Sequence, residues 1–317
     1  MKIYILKRII QVIPILFLIA LMVFILLRLI PGDPVLVMVG DQAEPGVVEA
    51  LRHEMGLDQP IMAQFFYWLA HIAKGDFGKS IIYQMDVLDL IFQRLPVTLT
   101  FGLFSTLFAL FLAVPSGIIA AVHQNTYKDY LFTLLAVFGV SVPSFWLALM
   151  FIIFFSVKLG WFPATGYVSP YTHFFEGMKY LILPCVSHGI LTAAIIARMT
   201  RSTMLEVLRQ DFITTAKGKG LPRYWIVYKH ALKNAFAPTL TIIGFQLGNV
   251  LGGAVITETI FTLPGLGQLI YHSIGQRDYP VIQACILLTA VGFVFINLVV
   301  DLMYCYFDPR ISYENES

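Results

Sequence analysis

Gly78-Lys79-Ser80 has the ending of a phosphate-binding loop, in which backbone N–H groups cradle a nucleotide's phosphates and the lysine reaches the terminal ones. That chemistry needs a glycine five residues before Gly78, and Ala73 stands there, so the chain is not expected to bind or hydrolyse ATP itself. The seven histidines are scattered, with no His-x-x-x-His or Cys-x-x-Cys pairing, which leaves a metal site without local support. Cys185, Cys285 and Cys305 lie in or at the edges of apolar runs and read as small packing residues rather than redox or metal groups. No His-Glu-x-x-His pattern and no convincing nucleophile with its base is present, so an enzyme is not expected. Among charges in the apolar stretches, Arg28 and Glu258 stand near run ends from which they reach an interface, and Asp301 follows Asn297 by four residues. A charge at a bilayer centre costs at least about 2.5 kcal/mol, so Asp301 should face protein or water, where it anchors its helix or relays protons. A proton-coupled carrier would be expected to hold more such residues.

The elements that must position these groups follow from composition. Hydrophobic residues make up 58% of the chain, charged residues only 13%, and the mean hydropathy is +0.78. A soluble domain carries about 25% charged residues, so too little charge remains to coat a water-facing surface. A bilayer span takes about 20 apolar residues, because the hydrocarbon core is roughly 30 Å thick and a helix rises about 1.5 Å per residue. Runs at 9–30, 98–122, 130–157, 181–197, 238–256 and 281–304 approach that length. The expected fold class is all-α, a polytopic membrane protein with about six transmembrane helices. The first run follows Lys2, Lys7 and Arg8 as a secretory signal would. Its length exceeds the roughly 7 to 15 residues of a signal core, and Pro31-Gly32-Asp33 follows in place of a cleavage pattern, so it is expected to be retained. Pro115 and Gly117 in the second run, and Pro143 in the third, predict local bends whose freed carbonyls need partners inside the bundle. Gly244, Gly248 and Gly252 recur every four residues on one face of the fifth run, followed by Gly253. Helix backbones can approach closely there, either within the chain or against a second subunit.

Charge distribution sets an expected orientation. Arg198, Arg201, Arg209, Lys217, Lys219, Arg223, Lys229 and Lys233 cluster in 198–237, against Glu206 and Asp211. By the positive-inside rule this loop and both termini belong in the cytoplasm, together with Lys128 and Arg310. The chain then divides into an N-terminal transmembrane helix at 1–30, an extracytoplasmic helical segment at 31–95, a membrane core at 96–306 containing the loop 198–237, and a cytoplasmic tail at 307–317. In the outward segment Glu44-Pro45 precedes Val47, Val48, Leu51 and Met55, and Asp58-Gln59-Pro60 precedes Ile61, Phe65, Trp68, Leu69 and Ile72 at amphipathic spacing. It is either an ordered cover on its own helices or a docking surface.

Within the basic loop, Asp211 is placed to cap a short helix at 212–219, Gly220 fits the left-handed position that ends one, and Leu221-Pro222 opens the next. Phe212, Ala216 and Gly220 fall along one side, spaced to lay an apolar edge in a partner's groove. Pattern alone equally allows an interfacial anchor resting on anionic membrane lipid.

The run DFITTAKGKGLP from Asp211 to Pro222, continuing as HALKNAFAP from His230 to Pro238, resembles the EAA loop of binding-protein-dependent ABC importer permeases, and more narrowly the dipeptide and oligopeptide branch. The resemblance runs on through Gly252-Gly253-Ala254, Glu258 to Gly267, Arg277 to Gln283, Asn297 to Asp301 and Asp308-Pro309-Arg310. At the front it covers Lys7-Arg8, Pro31 to Pro34, Gly56 to Pro60 and Gly75 to Gly78. Thr214 and Gly218 stand where relatives often carry Arg and Ala, and the glutamate that names the loop is absent, as is common in this branch. A glycine at 218 costs about 1 kcal/mol of helix propensity, which makes the short helix more dependent on a partner.

The resemblance implies a type I ABC importer permease fold in the bacterial inner membrane, and a subunit without catalytic residues of its own. It implies a second, homologous permease that encloses the pathway with this one. Two cytoplasmic ATPases, which would bind the ATP and Mg, would receive the short helix through Asp211, Phe212, Ala216, Gly220 and Leu221. An extracytoplasmic solute-binding protein would deliver the solute, and closure of the ATPases would change which side of the bundle is open. Dipeptides or oligopeptides are the expected cargo, with nickel chelates, glutathione or another small solute as alternatives. A stand-alone secondary carrier is the competing class. No nucleic-acid partner is expected, and the substrate-pathway residues stay unassigned.

Overall fold

The computed structural model describes residues 2–29, 45–54 and 58–307. The motifs at Pro31 to Pro34, Gly56-Leu57 and Asp308-Pro309-Arg310, together with Met55 and the tail 308–317, lie outside the described residues, as do the side chains of Lys2, Lys7, Arg8 and Cys305. Helices are α1 (Lys2–Leu29), α2 (Pro45–Glu54), α3 (Ile61–Ala73), α4 (Val87–Val122), α5 (Tyr127–Ser141) and α6 (Ser144–Phe151), the last running on as π-helical turns over Ile152–Lys158. They continue as α7 (Phe174–Leu208), α8 (Asp211–Gly218) and α9 (Arg223–Trp225), which passes through π-helical turns at Ile226–Ala231 into α10 (Leu232–Gly253). The last are α11 (Val255–Phe261), α12 (Leu266–Gln276) and α13 (Tyr279–Phe307).

Five of these stretches are long and apolar enough to cross a membrane, or six if one bent pair is a single span, which agrees with the expected number. The helices outrun the apolar runs that announce them. Thus α7 covers Phe174–Leu208 where hydropathy marks only 181–197, because i to i−4 hydrogen bonding continues past the point where apolar side chains give out. The third run is corrected more substantially. It is two helices, α5 and α6, meeting at 96°. Val142 stands between them at ψ 124° and Pro143 follows at ψ 133°. Proline pushes the preceding residue out of the helical region and donates no N–H, so the ladder stops there. By contrast α4 continues as one helix through Pro96 and Pro115.

At the centre α4 lies along α7, and α10 packs on both α7 and α13. One apolar cluster joins Phe101 of α4, Leu181 and Leu183 of α7, Val250 of α10, Ala254 just after it and Phe261 of α11. Burying each large side chain contributes about 1.5 to 3 kcal/mol against water, but in lipid the gain comes from close packing instead. α1 lies on α13, and α3 is laid across them: Phe65 is buried with Ala20, Phe24 and Leu287, its ring 5.4 Å from that of Phe24. Outward faces stay apolar, with Ile13 and Leu26 of α1 and Leu134 and Phe138 of α5 all exposed. Such surface suits lipid or a neighbouring subunit.

The bundle has two distinguishable ends. One gathers the end of α4, the start of α5, the end of α7, and α8 and α9, and it carries Lys128, Arg201, Arg209, Lys217, Lys219 and Arg223. The other gathers the start of α4, the turn at 79–86, α11, α12 and the start of α13.

Candidate functional site

At the basic end α8 is short enough that its geometry depends on how it starts and stops. Gln210 precedes it at φ −76°, ψ 153°, with no side-chain bond to the helix. Asp211 is therefore the first helical residue and not the cap expected from sequence; its carboxylate favours the N-terminal end by charge alone. The stop is at Gly220, whose φ of +77° lies in the left-handed region. Gly220 N–H donates to Lys217 O at 2.9 Å and Leu221 N–H to Ala216 O at 3.3 Å, which closes the last carbonyls. A Cβ at 220 would meet nothing within 4 Å, so it is the backbone conformation that demands glycine.

Packing divides the helix into two faces. Ile213 and Ala216 are buried against Ile118, Ala121, Met204, Val207, Ile226 and Val227. Phe212 and Leu221 are exposed, as are Tyr224 and Trp225 of α9. Sequence spacing put Ala216 on the outward edge with Phe212 and Gly220; the structure turns it inward, because Ala216 follows Ile213 by three residues and shares its face. An open pocket of about 440 Å³ lies beside this helix, lined by Val122, Leu208, Lys217, Leu221, Arg223, Ile226 and Val227.

Around α8 stands a polar framework that sequence reading missed. Asp129, nearly all buried in the first turn of α5, accepts Arg201 Nε at 2.6 Å and Arg201 Nη2 at 2.7 Å. The same carboxylate accepts the Asn125 N–H at 3.0 Å and the Thr133 hydroxyl at 3.3 Å. Arg223 Nη2 donates to Val122 O at 3.0 Å, and Arg209 Nη2 to Gln124 Oε1 at 3.5 Å. The available signal was an acidic residue directly after Lys128 at the edge of an apolar run.

The glycine row of α10 is not one contact face. A Cβ on Gly244 would overlap Val300, and one on Gly248 would overlap the ring of Phe293, so both seat α10 on α13. Gly252 meets nothing within 4 Å. A hundred degrees per residue carries the row off the α13 contact over two turns.

At the opposite end the expectation that Glu258 reaches an interface fails. It is fully buried, accepting Thr98 Oγ1 at 2.6 Å and the Gln268 N–H at 3.0 Å, while Thr98 Oγ1 accepts the Leu266 N–H at 2.8 Å. A side chain and a hydroxyl from elsewhere thus satisfy the first turn of α12. Burial raises the Glu258 carboxyl above the ordinary glutamate range, and the bonds from Thr98, Gln268 and Gly267 pull it back. Asp278, also fully buried, accepts the Ser80 hydroxyl at 2.5 Å and the Ile81 and Ile82 N–H groups at 3.3 Å each. Ser80, the last residue of the phosphate-loop look-alike, is spent on this contact.

A family model described as "Binding-protein-dependent transport system inner membrane component" matches residues 113–313, and the model of its N-terminal part matches residues 1–102. The chain belongs to this family of permeases. It is 42% identical over 330 residues to the dipeptide transport system permease protein DppB of Alkalihalophilus pseudofirmus, covering 98% of this chain and 99% of the relative. It is 40% identical over 311 residues to the glutathione transport system permease protein GsiC of Escherichia coli strain K12, with the same coverage. Among solved structures, an inward-facing MetNI methionine ABC transporter chain superposes at a TM-score of 0.58 over 70% of this chain and 97% of its own, at 20% identity, a likeness of fold. This permease is therefore a multi-pass inner-membrane transport subunit of the ABC importer type, a class that works with ATPase and binding-protein partners.

Proposed function

We propose that this permease pairs with a second, homologous permease to import dipeptides or oligopeptides, with its basic end and both termini in the cytoplasm. The two-faced build of α8 carries this reading: Ile213 and Ala216 fix it to the bundle while Phe212 and Leu221 remain exposed. Its outward side also holds Thr214, Thr215, Lys217 and Lys219, too polar a surround for an acyl-chain seat and well matched to a groove in a protein. Two cytoplasmic ATPases that bind ATP and Mg are the partners that would take it. Asp211 and Gly220 set where the helix begins and ends, Ala216 holds it, and Phe212 and Leu221 make the contact. Gly244 and Gly248 serve packing within the chain, whereas the open side of α10 at Gly252 is available to the second permease. The relatives named for dipeptide and glutathione transport, the latter a tripeptide, support a small peptide as solute.

The test is affinity purification of the chain from its own cells, followed by reconstitution of whatever accompanies it in liposomes with the cognate binding protein. The expected result is a complex containing ATPases and a second permease that accumulates dipeptide only with ATP. Recovery of the chain alone, transporting without ATP, would overturn the proposal in favour of a secondary carrier.

A further inference from the structure

Arg201, Arg209 and Arg223 come from both sides of α8 in sequence, yet all donate to one short stretch of chain, from the end of α4 through the turn to the first turn of α5. Their acceptors are Asp129, Gln124 and Val122 O, separated from them by 72, 85 and 101 residues in sequence. We infer that the α4–α5 turn is a working part of the coupling device, clamped to the frame of α8 chiefly by the Asp129–Arg201 pair. This rests on the reading of α8 as the docking helix.

The geometry of the pair supports a mechanical role. Both carboxylate oxygens are taken by one guanidinium, a fork-to-fork contact that fixes orientation as well as distance. The Asp129 side chain is 3% exposed and that of Arg201 29%, so the pair is shielded from the solvent that weakens surface ion pairs. The carboxylate also holds the Asn125 N–H, and Asn125 sits at φ +61°, a left-handed turn position that asparagine adopts more readily than most non-glycine residues. The Thr126 hydroxyl closes the turn on His123 O at 2.6 Å. The residue that Arg201 grips is therefore the one that also ties the turn to the start of α5.

The consequence lies in what the turn begins. From it α5 runs to Ser141, where the chain breaks by 96° into α6 and the π-helical turns that reach Lys158. A displacement of α8 is passed to α7 through the continuous chain at Arg209 and Gln210. Through the clamp it is passed also to α5, and so to the bent span. Without the clamp, α5 would follow through its contacts with α7 and α4 and through the weaker bonds of Arg209 and Arg223 to the end of α4, none of which fixes its orientation as the fork does. Asp129 and Arg201 are positioning residues in this scheme, since neither touches solute or nucleotide.

The experiment uses the complete transporter in liposomes, reading binding-protein-stimulated ATP hydrolysis, solute uptake and complex recovery side by side. In Asp129→Asn and Arg201→Lys the complex is expected to assemble, and uptake per ATP hydrolysed to fall by roughly tenfold or more, the scale of an allosteric coupling constant. Arg201→Lys keeps the charge and loses the fork, so it guards against an Asp129→Asn chain that fails to fold. The exchanged double variant, Asp129→Arg with Arg201→Asp, is expected to regain part of the loss. Unchanged uptake per ATP in an assembled variant would overturn the inference, as would parallel loss of uptake, hydrolysis and complex, which marks a purely structural pair. Absence of ATP-driven uptake in the unaltered complex would instead bring down the transport reading and this inference with it.

Discussion

The two ends of this bundle treat charge in opposite ways. At the basic end Arg209 and Arg223 stay at the surface, and the deeply buried carboxylate of Asp129 meets a full positive charge in the partly buried Arg201. At the other end Glu258 and Asp278 are fully buried, and the partners they are given are hydroxyls and N–H groups: Thr98 and Gln268 for one, Ser80, Ile81 and Ile82 for the other. An arginine fork on a turn transmits a push, because both ends of the contact are held in orientation. A buried carboxylate bonded to neutral donors ties loops together: Asp278 fixes the 79–86 turn to the start of α13, and Glu258 fixes α12 to α4. If α8 is the docking helix proposed above, the difference marks the basic end as the entry for motion and the opposite end as pinned against it.

The largest expected effect comes from breaking the proposed docking end without touching its packing. Gly220→Val forces a β-branched residue to φ +77° at a position with open space around it, so the strain falls on the backbone alone. The chain should insert and assemble, while ATP-driven uptake drops to near background, read in the reconstituted transporter. Uptake equal to the unaltered protein would show that the end of α8 has no part in coupling.

The pinned end should answer in stability instead. Glu258→Ala leaves the Thr98 hydroxyl and the Gln268 N–H without their acceptor, and Asp278→Ala does the same to Ser80, Ile81 and Ile82. Each loss is expected to cost about 2 kcal/mol, the scale of buried donors left without an acceptor. Thermal unfolding in detergent checks this, with uptake per ATP holding steady in whatever fraction stays folded. A drop in that ratio at full stability would erase the contrast between the ends.

How much of this was readable beforehand differs between the ends for a physical reason. The helical spans and the family follow from apolar run length and local motifs, and both are properties of neighbouring residues. The left-handed stop at Gly220 is likewise local, since it depends on one residue's lack of a Cβ. The inward turn of Ala216 was obscured because a helix this short has no strong period of its own, and its register is settled by Ile118 and Met204, almost a hundred and about a dozen residues away. Asp129, Glu258 and Asp278 were illegible as a set. Each is a single acidic residue whose meaning comes from a partner far away in sequence, Arg201 for Asp129, Thr98 for Glu258 and the turn at Ser80 to Ile82 for Asp278, which a hydropathy profile does not register. The bend at Pro143 was expected as local, and its 96° magnitude came from the connection at Val142 having no helical alternative.

The smallest expected effect concerns pH and separates the two kinds of buried carboxylate. Burial holds the folded Glu258 carboxyl above its unfolded range near 4.5. Between that range and the raised folded value, the native state keeps a proton that the unfolded chain has released, so stability contributed here falls as pH rises through the window. Glu258→Gln cannot titrate. It gives up one acceptor, because its amide NH₂ faces the Gln268 N–H, and so carries a constant loss at every pH. The difference in melting temperature between the unaltered protein and this variant is therefore expected to shrink as pH rises from about 4.5 through the weakly acidic range, and then to level off. A difference that grows over the same range would mean that the donors from Thr98, Gln268 and Gly267 outweigh burial, and that this end holds a carboxylate as firmly as the arginine clamp does.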